Sequence, residues 1–172
     1  MHREAATALQ SDRALEPLVE EYGPLELSTA SDPFRRLLVS LLRQQVSMDA
    51  AAAIRERLFE RVDPTPDGIL AAERETLRGA GLSEAKTEYA ISVAEAFRDR
   101  EYDREYFADM SDEAVTDELT GIRGVGPWTA KMFLLFALGR PDVFPVEDLG
   151  NRKGMHAAVD PELTRVEMVS RA

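Results

Sequence analysis

With 172 residues, 44% of them apolar, the chain can bury one core or two small lobes that share an interface, and a large multidomain assembly is excluded. No apolar run approaches the ~20 residues that span a bilayer. Met1-His2-Arg3-Glu4 leads into polar sequence without a secretory pattern. A soluble, cytoplasmic protein with no membrane partner is expected, and a monomer meets every demand of the sequence. The absence of cysteine excludes disulfides, thiolate zinc sites, iron-sulfur clusters and cysteine nucleophiles.

The net charge of -11 argues at first against a nucleic-acid partner, which normally calls for an excess of basic residues. Only Lys86, Lys131 and Lys153 are lysines, leaving 18 Arg of the 21 basic residues against 32 acidic ones. Such a surface suits a salt-rich, halophilic cytoplasm. There counterion release contributes little to DNA affinity, and binding must rest on short-range backbone contacts. An acidic protein that never meets DNA fits the composition equally well.

Helical punctuation recurs along the chain with no alternating β-branched run, so the class is all-α: a helical bundle of two small lobes. A first helix is expected over Arg13 to Glu21, stopped by Tyr22-Gly23-Pro24. Asp32-Pro33 opens a second, predicted to reach Val46, with Phe34, Leu37, Leu38, Leu41 and Leu42 on one apolar stripe. Ser47 caps a third over Met48 to Arg61, and Thr65-Pro66-Asp67 caps a fourth ending at Gly79-Ala80-Gly81. Ser83 starts a fifth through Phe97, and Ser111-Asp112-Glu113 a sixth that closes near Thr120-Gly121. Pro127 opens a seventh that stops at Gly139.

The last two helices flank Gly121-Ile122-Arg123-Gly124-Val125-Gly126-Pro127-Trp128-Thr129. Two glycines around one apolar residue permit positive φ and close backbone approach, and the first amides of the next helix lack intrahelical partners. Aimed at a phosphate, these groups bind an anion without a basic side chain, which removes the objection from charge. Val125 packs inward and sets the turn. A weaker echo, Gly79-Ala80-Gly81, is either a second such unit or an ordinary helix joint.

From Gly121 to Ala130 the chain resembles the helix-hairpin-helix DNA glycosylases, and within them the AlkA-type alkylpurine glycosylases. Leu134 to Pro145, Glu147-Asp148-Leu149-Gly150, Leu41 to Ser47 and Ala80 to Lys86 also fit, so the resemblance covers most of Phe34 to Gly154. It implies a monofunctional glycosylase of base excision repair that flips an alkylated purine, such as 3-methyladenine or 7-methylguanine, out of duplex DNA and hydrolyses its glycosidic bond. Gly121, Arg123, Gly124, Val125, Gly126 and Thr129 would form the phosphate-binding hairpin. The carbonyls of Thr120, Ile122 and Val125 would hold a monovalent cation, with no other cofactor and no catalytic metal.

Breaking an N-glycosidic bond develops positive charge on the deoxyribose, which a carboxylate stabilises while it positions water. Glu147 and Asp148 are adjacent candidates, and the resemblance selects Asp148, about twenty residues beyond the hairpin. Asp148 would equally cap a helix starting at Leu149. Base flipping leaves a gap in the stack. The resemblance makes Gln45 the wedge that fills it and Gln44 a contact in the base pocket, with Trp128 and Met132. Trp128 either stacks on an electron-poor base or covers a helix junction. In relatives that also cut the backbone, a lysine stands where this chain has Trp128, and Lys131 lies about a turn away, so no lyase step is expected.

Met132 stands where some relatives carry an aromatic residue. Some relatives also have a separate N-terminal domain, and others continue with a further helix rich in Trp, Pro and Arg. The expectation is therefore a single domain over residues 1–172, with its hairpin unit at about 112–138 and without that last helix. Two other readings stay open: a non-catalytic DNA-binding hairpin module, and a glycosylase for another damaged base.

Overall fold

The computed structural model describes residues 3–23 and 27–171, which are all-α and contain no strand. Pro24, expected to stop the first helix, and Met1 and His2 lie outside these residues. The described residues fall into two compact units, one spanning Thr29–Pro141 and the other formed by the segments up to Ser28 and from Asp142 onward. None of the described helices is long and apolar enough to cross a membrane.

In the Thr29–Pro141 unit, α3 (Pro33–Arg43) is opened by Asp32, whose carboxylate accepts the Arg35 amide at 3.0 Å. Its apolar stripe is the centre of the core: Phe34, Leu37, Leu38, Leu41 and Leu42 are all buried. The same Ser/Thr cap opens α4 (Met48–Arg61), α5 (Pro66–Ala71), α7 (Glu84–Asp99) and α8 (Asp112–Thr120), through Ser47, Thr65, Ser83 and Ser111. Between α5 and α7 lies the short α6 (Arg74–Gly79). The fourth expected helix is thus two, because Ala72 and Glu73 are extended, with Ile69 and Leu77 fully buried on either side of the break. Burial of both side chains overrides local helix propensity here.

An aromatic cluster closes this core from the other side. Phe97 of α7 meets Phe34 at 5.3 Å and Tyr102 at 5.2 Å, and Phe107 meets Phe133 at 5.3 Å, edge to face. Glu118 of α8 accepts hydrogen bonds from Tyr102, Arg100 and Tyr106, which ties the first helix of the hairpin unit to the cluster. The Tyr102 bond holds the Glu118 carboxyl below its usual value, and burial pushes the Tyr102 hydroxyl up.

Helix α9 (Pro127–Phe133) passes into a π-helical segment, Leu134–Leu138, which ends at Gly139 in the left-handed region, φ 74°. The stop at Gly139 is as expected, whereas the widened final turn is not visible in the apolar pattern.

In the other unit, the expected helix over Arg13 to Glu21 is replaced by α1 (Arg3–Ser11) and α2 (Glu16–Tyr22). Pro17 lies in the first turn of α2 and cannot be continued back into a helix, while the Asp12 carboxylate takes the Ala14 amide at 2.8 Å. The same unit holds α10 (Leu149–Ala158) and α11 (Arg165–Arg171), whose Met168 is buried and whose Arg171 lies 3.3 Å from Asp12.

Candidate DNA-binding hairpin and catalytic carboxylate

The hairpin between α8 and α9 is folded from its own backbone. Gly121 ends α8, Ile122 donates to Leu119 at 3.0 Å, and Val125 donates to Ile122 at 3.0 Å. Ile122 and Val125 are buried and anchor the turn, as expected for Val125.

The two glycines do different work. Gly124 has φ +94°, and the ring of Tyr89 lies so close beneath it that an added Cβ would come within 2.1 Å of Tyr89 Cγ. Only glycine fits there. Gly126 has φ -101° and nothing within 4 Å of an added Cβ. It has no need of positive φ, contrary to the expectation from sequence. Its contribution is open space at the N-terminus of α9, where no side-chain cap forms. Backbone can therefore approach an anion closely at the positive end of a helix dipole.

The echo at Gly79-Ala80-Gly81 is built otherwise. Its positive φ, +109°, falls on the second glycine, and Arg57 fills the adjoining space by donating to the Ala80 carbonyl at 2.9 Å. That turn is a helix joint braced by Arg57.

Facing the hairpin is the end of α3. The helix stops at Arg43, not at Val46, because Gln44 leaves the helical region with ψ 128°, and Gln45 then adopts φ 56°, a left-handed conformation that costs a non-glycine residue energy. The Gln45 side chain is exposed, followed by the exposed Val46 and Met48. Gln44, half-buried beside it, donates through Nε2 to the Gly124 carbonyl at 3.0 Å and to Thr129 Oγ1 at 2.9 Å. The structure thus brings Gln44, Gly124 and Thr129 together as a brace between α3 and the hairpin. Arg123 is exposed, 3.9 Å from Glu88, which also pairs with Arg74.

Lys86 is a residue whose role sequence reasoning missed. Its Nζ donates to the carbonyls of Leu42 at 2.8 Å and Gln44 at 2.7 Å, and burial pulls its ammonium below the ordinary lysine value. The only hint was its place in the Gly81 to Lys86 stretch.

Trp128 is half-buried in the first turn of α9 and Met132 is buried one turn later. The carbonyls of Thr120, Ile122 and Val125 are hard oxygen donors of the type that suits an alkali cation. Ile122 already accepts the Val125 amide, which leaves one of its two lone pairs for an ion.

Asp148 belongs to the other unit, where it is the N-cap of α10: its Oδ1 accepts the Asn151 amide at 3.0 Å. Its own amide closes a turn onto the Pro145 carbonyl at 2.9 Å. Arg152, one turn into α10, donates to the carbonyls of Val146 at 3.0 Å and Glu147 at 2.8 Å. The segment that presents Asp148 is therefore clamped from both sides. Arg152 is the second residue that sequence reasoning missed, since nothing in Asn151-Arg152-Lys153 announces a backbone clamp.

The family described as HhH-GPD superfamily base excision DNA repair protein matches residues 38–160. DNA-3-methyladenine glycosylase 1 of Schizosaccharomyces pombe is 34% identical over 148 residues, 83% of this chain and 64% of that protein. The crystal structure of a DNA-3-methyladenine glycosidase from Bacillus halodurans matches with a TM-score of 0.83 at 32% identity, covering 98% of this chain and 80% of the other. The S. pombe 3-methyladenine DNA glycosylase Mag1, in complex with abasic DNA, matches with a TM-score of 0.86 at 30% identity, covering 97% and 86%. This chain spans between about half and two thirds of the length of the curated relatives it matches. With a helix-hairpin-helix turn of this geometry and a family match over most of its length, the chain belongs to the HhH-GPD superfamily of base excision DNA repair proteins.

Proposed function

We propose that the chain is a monofunctional DNA glycosylase that removes alkylated purines, such as 3-methyladenine and 7-methylguanine, from double-stranded DNA. The observation that carries this reading is the turn at Gly124 and Gly126, where a tightly packed glycine sets the loop and an open one leaves the start of α9 accessible to a phosphate. The names of the relatives support alkylated purines as the substrate class.

In this reading Gly121, Arg123, Gly124, Val125, Gly126 and Thr129 grip the backbone, and Gln45 fills the space vacated by the flipped base. Trp128 and Met132 line the base pocket. Gln44 reaches that pocket only as part of the brace, since both of its amide hydrogen bonds go to the hairpin. Alkylation at a ring nitrogen makes the base cationic and a good leaving group, so it departs with the electrons of the glycosidic bond. Asp148 stabilises the positive sugar and orients the water that adds to it. With Trp128 where lyases carry lysine, no Schiff base forms and the product is an intact abasic strand.

A monovalent cation on the carbonyls of Thr120, Ile122 and Val125 would add a bridge to phosphate. One chain supplies hairpin, wedge and carboxylate, so the working unit is a monomer. The surplus of acid over base supports a salt-rich cytoplasm as its compartment.

The test is base release from methylated duplex DNA at high potassium, followed by alkali. Free alkylated base, with strand scission only after alkali, is the expected result. Absence of release, or nicking without alkali, overturns the reading.

A further inference from the structure

Gln45 is held in a left-handed conformation at an exposed site, and something must keep it there. We propose that Lys86 is a positioning residue that fixes the Gln44-Gln45 turn and locks it to the DNA-gripping hairpin, so that wedge and phosphate grip act as one rigid piece. This rests on the reading of the chain as a base-flipping glycosylase with Gln45 as its wedge.

Three observations support it. Lys86 sits in the first turn of α7, where Ser83 caps its amide at 3.2 Å. A cation at that end opposes the dipole of its own helix, and partial burial adds to the cost. The charge is there for a different helix. Its Nζ meets the carbonyls of Leu42 and Gln44, at the C-terminal end of α3, where a cation is favourable and carbonyls lack helical partners.

The residue it fixes is also the one that reaches the hairpin. The Gln44 carbonyl takes Lys86 Nζ, while the Gln44 side chain binds Gly124 and Thr129. Tyr89, one turn beyond Lys86 on the same helix, closes the circuit beneath Gly124. From α7, then, one residue holds the wedge turn, another holds the hairpin, and Gln44 joins the two.

The chain has no cysteine, so Gln45→Cys gives a single attachment point for a nitroxide spin label. In full-length protein carrying Q45C, the label's mobility is compared with Lys86 intact and in K86M, K86Q and K86R. The expected result is a mobile label in K86M and K86Q, with immobility restored in K86R. If K86M fails to fold, K86Q carries the measurement. In proteins that retain Gln45, K86Q should then slow single-turnover base release about ten- to hundredfold. K86R should recover much of the rate.

An unchanged label overturns the proposal whatever the activity, and so does a mobile label with an unchanged release rate. If the parent protein releases no base, the glycosylase reading fails, and the label still decides whether Lys86 fixes the turn.

Discussion

Gln44 and Gly124 stand 80 residues apart in the chain and are joined by a 3.0 Å hydrogen bond from side-chain amide to backbone carbonyl. The same nitrogen reaches Thr129. Q44A should destabilise the fold by about 1–2 kcal/mol, the value of two ordinary hydrogen bonds, and should weaken duplex binding. Q44E should lose more than Q44A, because an ionised carboxylate is acceptor-only and would face the Gly124 carbonyl. Thermal unfolding and a DNA titration on the same samples check both.

The two hairpin glycines should respond in opposite ways to alanine. G124A meets the Tyr89 ring and a φ of +94°, so a loss of about 1–3 kcal/mol in stability is expected. G126A meets nothing within 4 Å at φ -101°, so its thermal unfolding should match the parent while its affinity for DNA falls. Equal stability losses in the two variants would contradict the division of labour between them.

Asp148 serves as a helix cap and, in the proposed reaction, as the catalytic carboxylate, and substitutions separate the roles. Asparagine caps about as well as aspartate, so D148N should keep its stability and its binding to abasic DNA while losing base release. D148A should lose release and also about 1 kcal/mol of stability. Unchanged release by D148N would remove Asp148 from the chemistry.

The Arg152 clamp allows a finer test. R152A frees the Val146 and Glu147 carbonyls without touching the hairpin. Single-turnover release should slow while duplex affinity holds, since misplacing a reacting group costs rate before it costs binding. A matching loss of affinity would assign Arg152 to the fold as a whole.

Glu118 predicts a pH dependence. Its carboxyl is held low in the folded state, first by the Tyr102 hydrogen bond and then by Arg100. The resulting stability is present above the ordinary glutamate value of about 4.3 and is lost as pH falls through the lower folded value. Thermal melts from about pH 6 to 3 should therefore show a decline in the parent that is shallower in E118Q. Because Glu118 is partly exposed, the difference should be modest and should shrink with added salt.

What was legible in the sequence was local. Asp32, Ser47, Thr65, Ser83, Ser111 and Asp148 all cap helices because the acceptor and its amide lie three residues apart. The α3 stripe is readable because helical period places its apolar residues on one face. Gly139 is readable because a left-handed stop favours glycine. The hairpin belongs to the same class, since its spacing of glycines and helix start is contiguous. Only the tertiary structure decided that Gln44 ends α3 early and turns Gln45 left-handed, that Ala72 and Glu73 break a helix, and that Gly124 rather than Gly126 needs positive φ. It alone made Lys86 and Arg152 backbone clamps. Lys86 reaches carbonyls 42 and 44 residues away, and Gln44 reaches the hairpin across 80 and 85. Helix period and capping rules act over a few residues, whereas these pairings exist only after α3, α7 and α9 have packed.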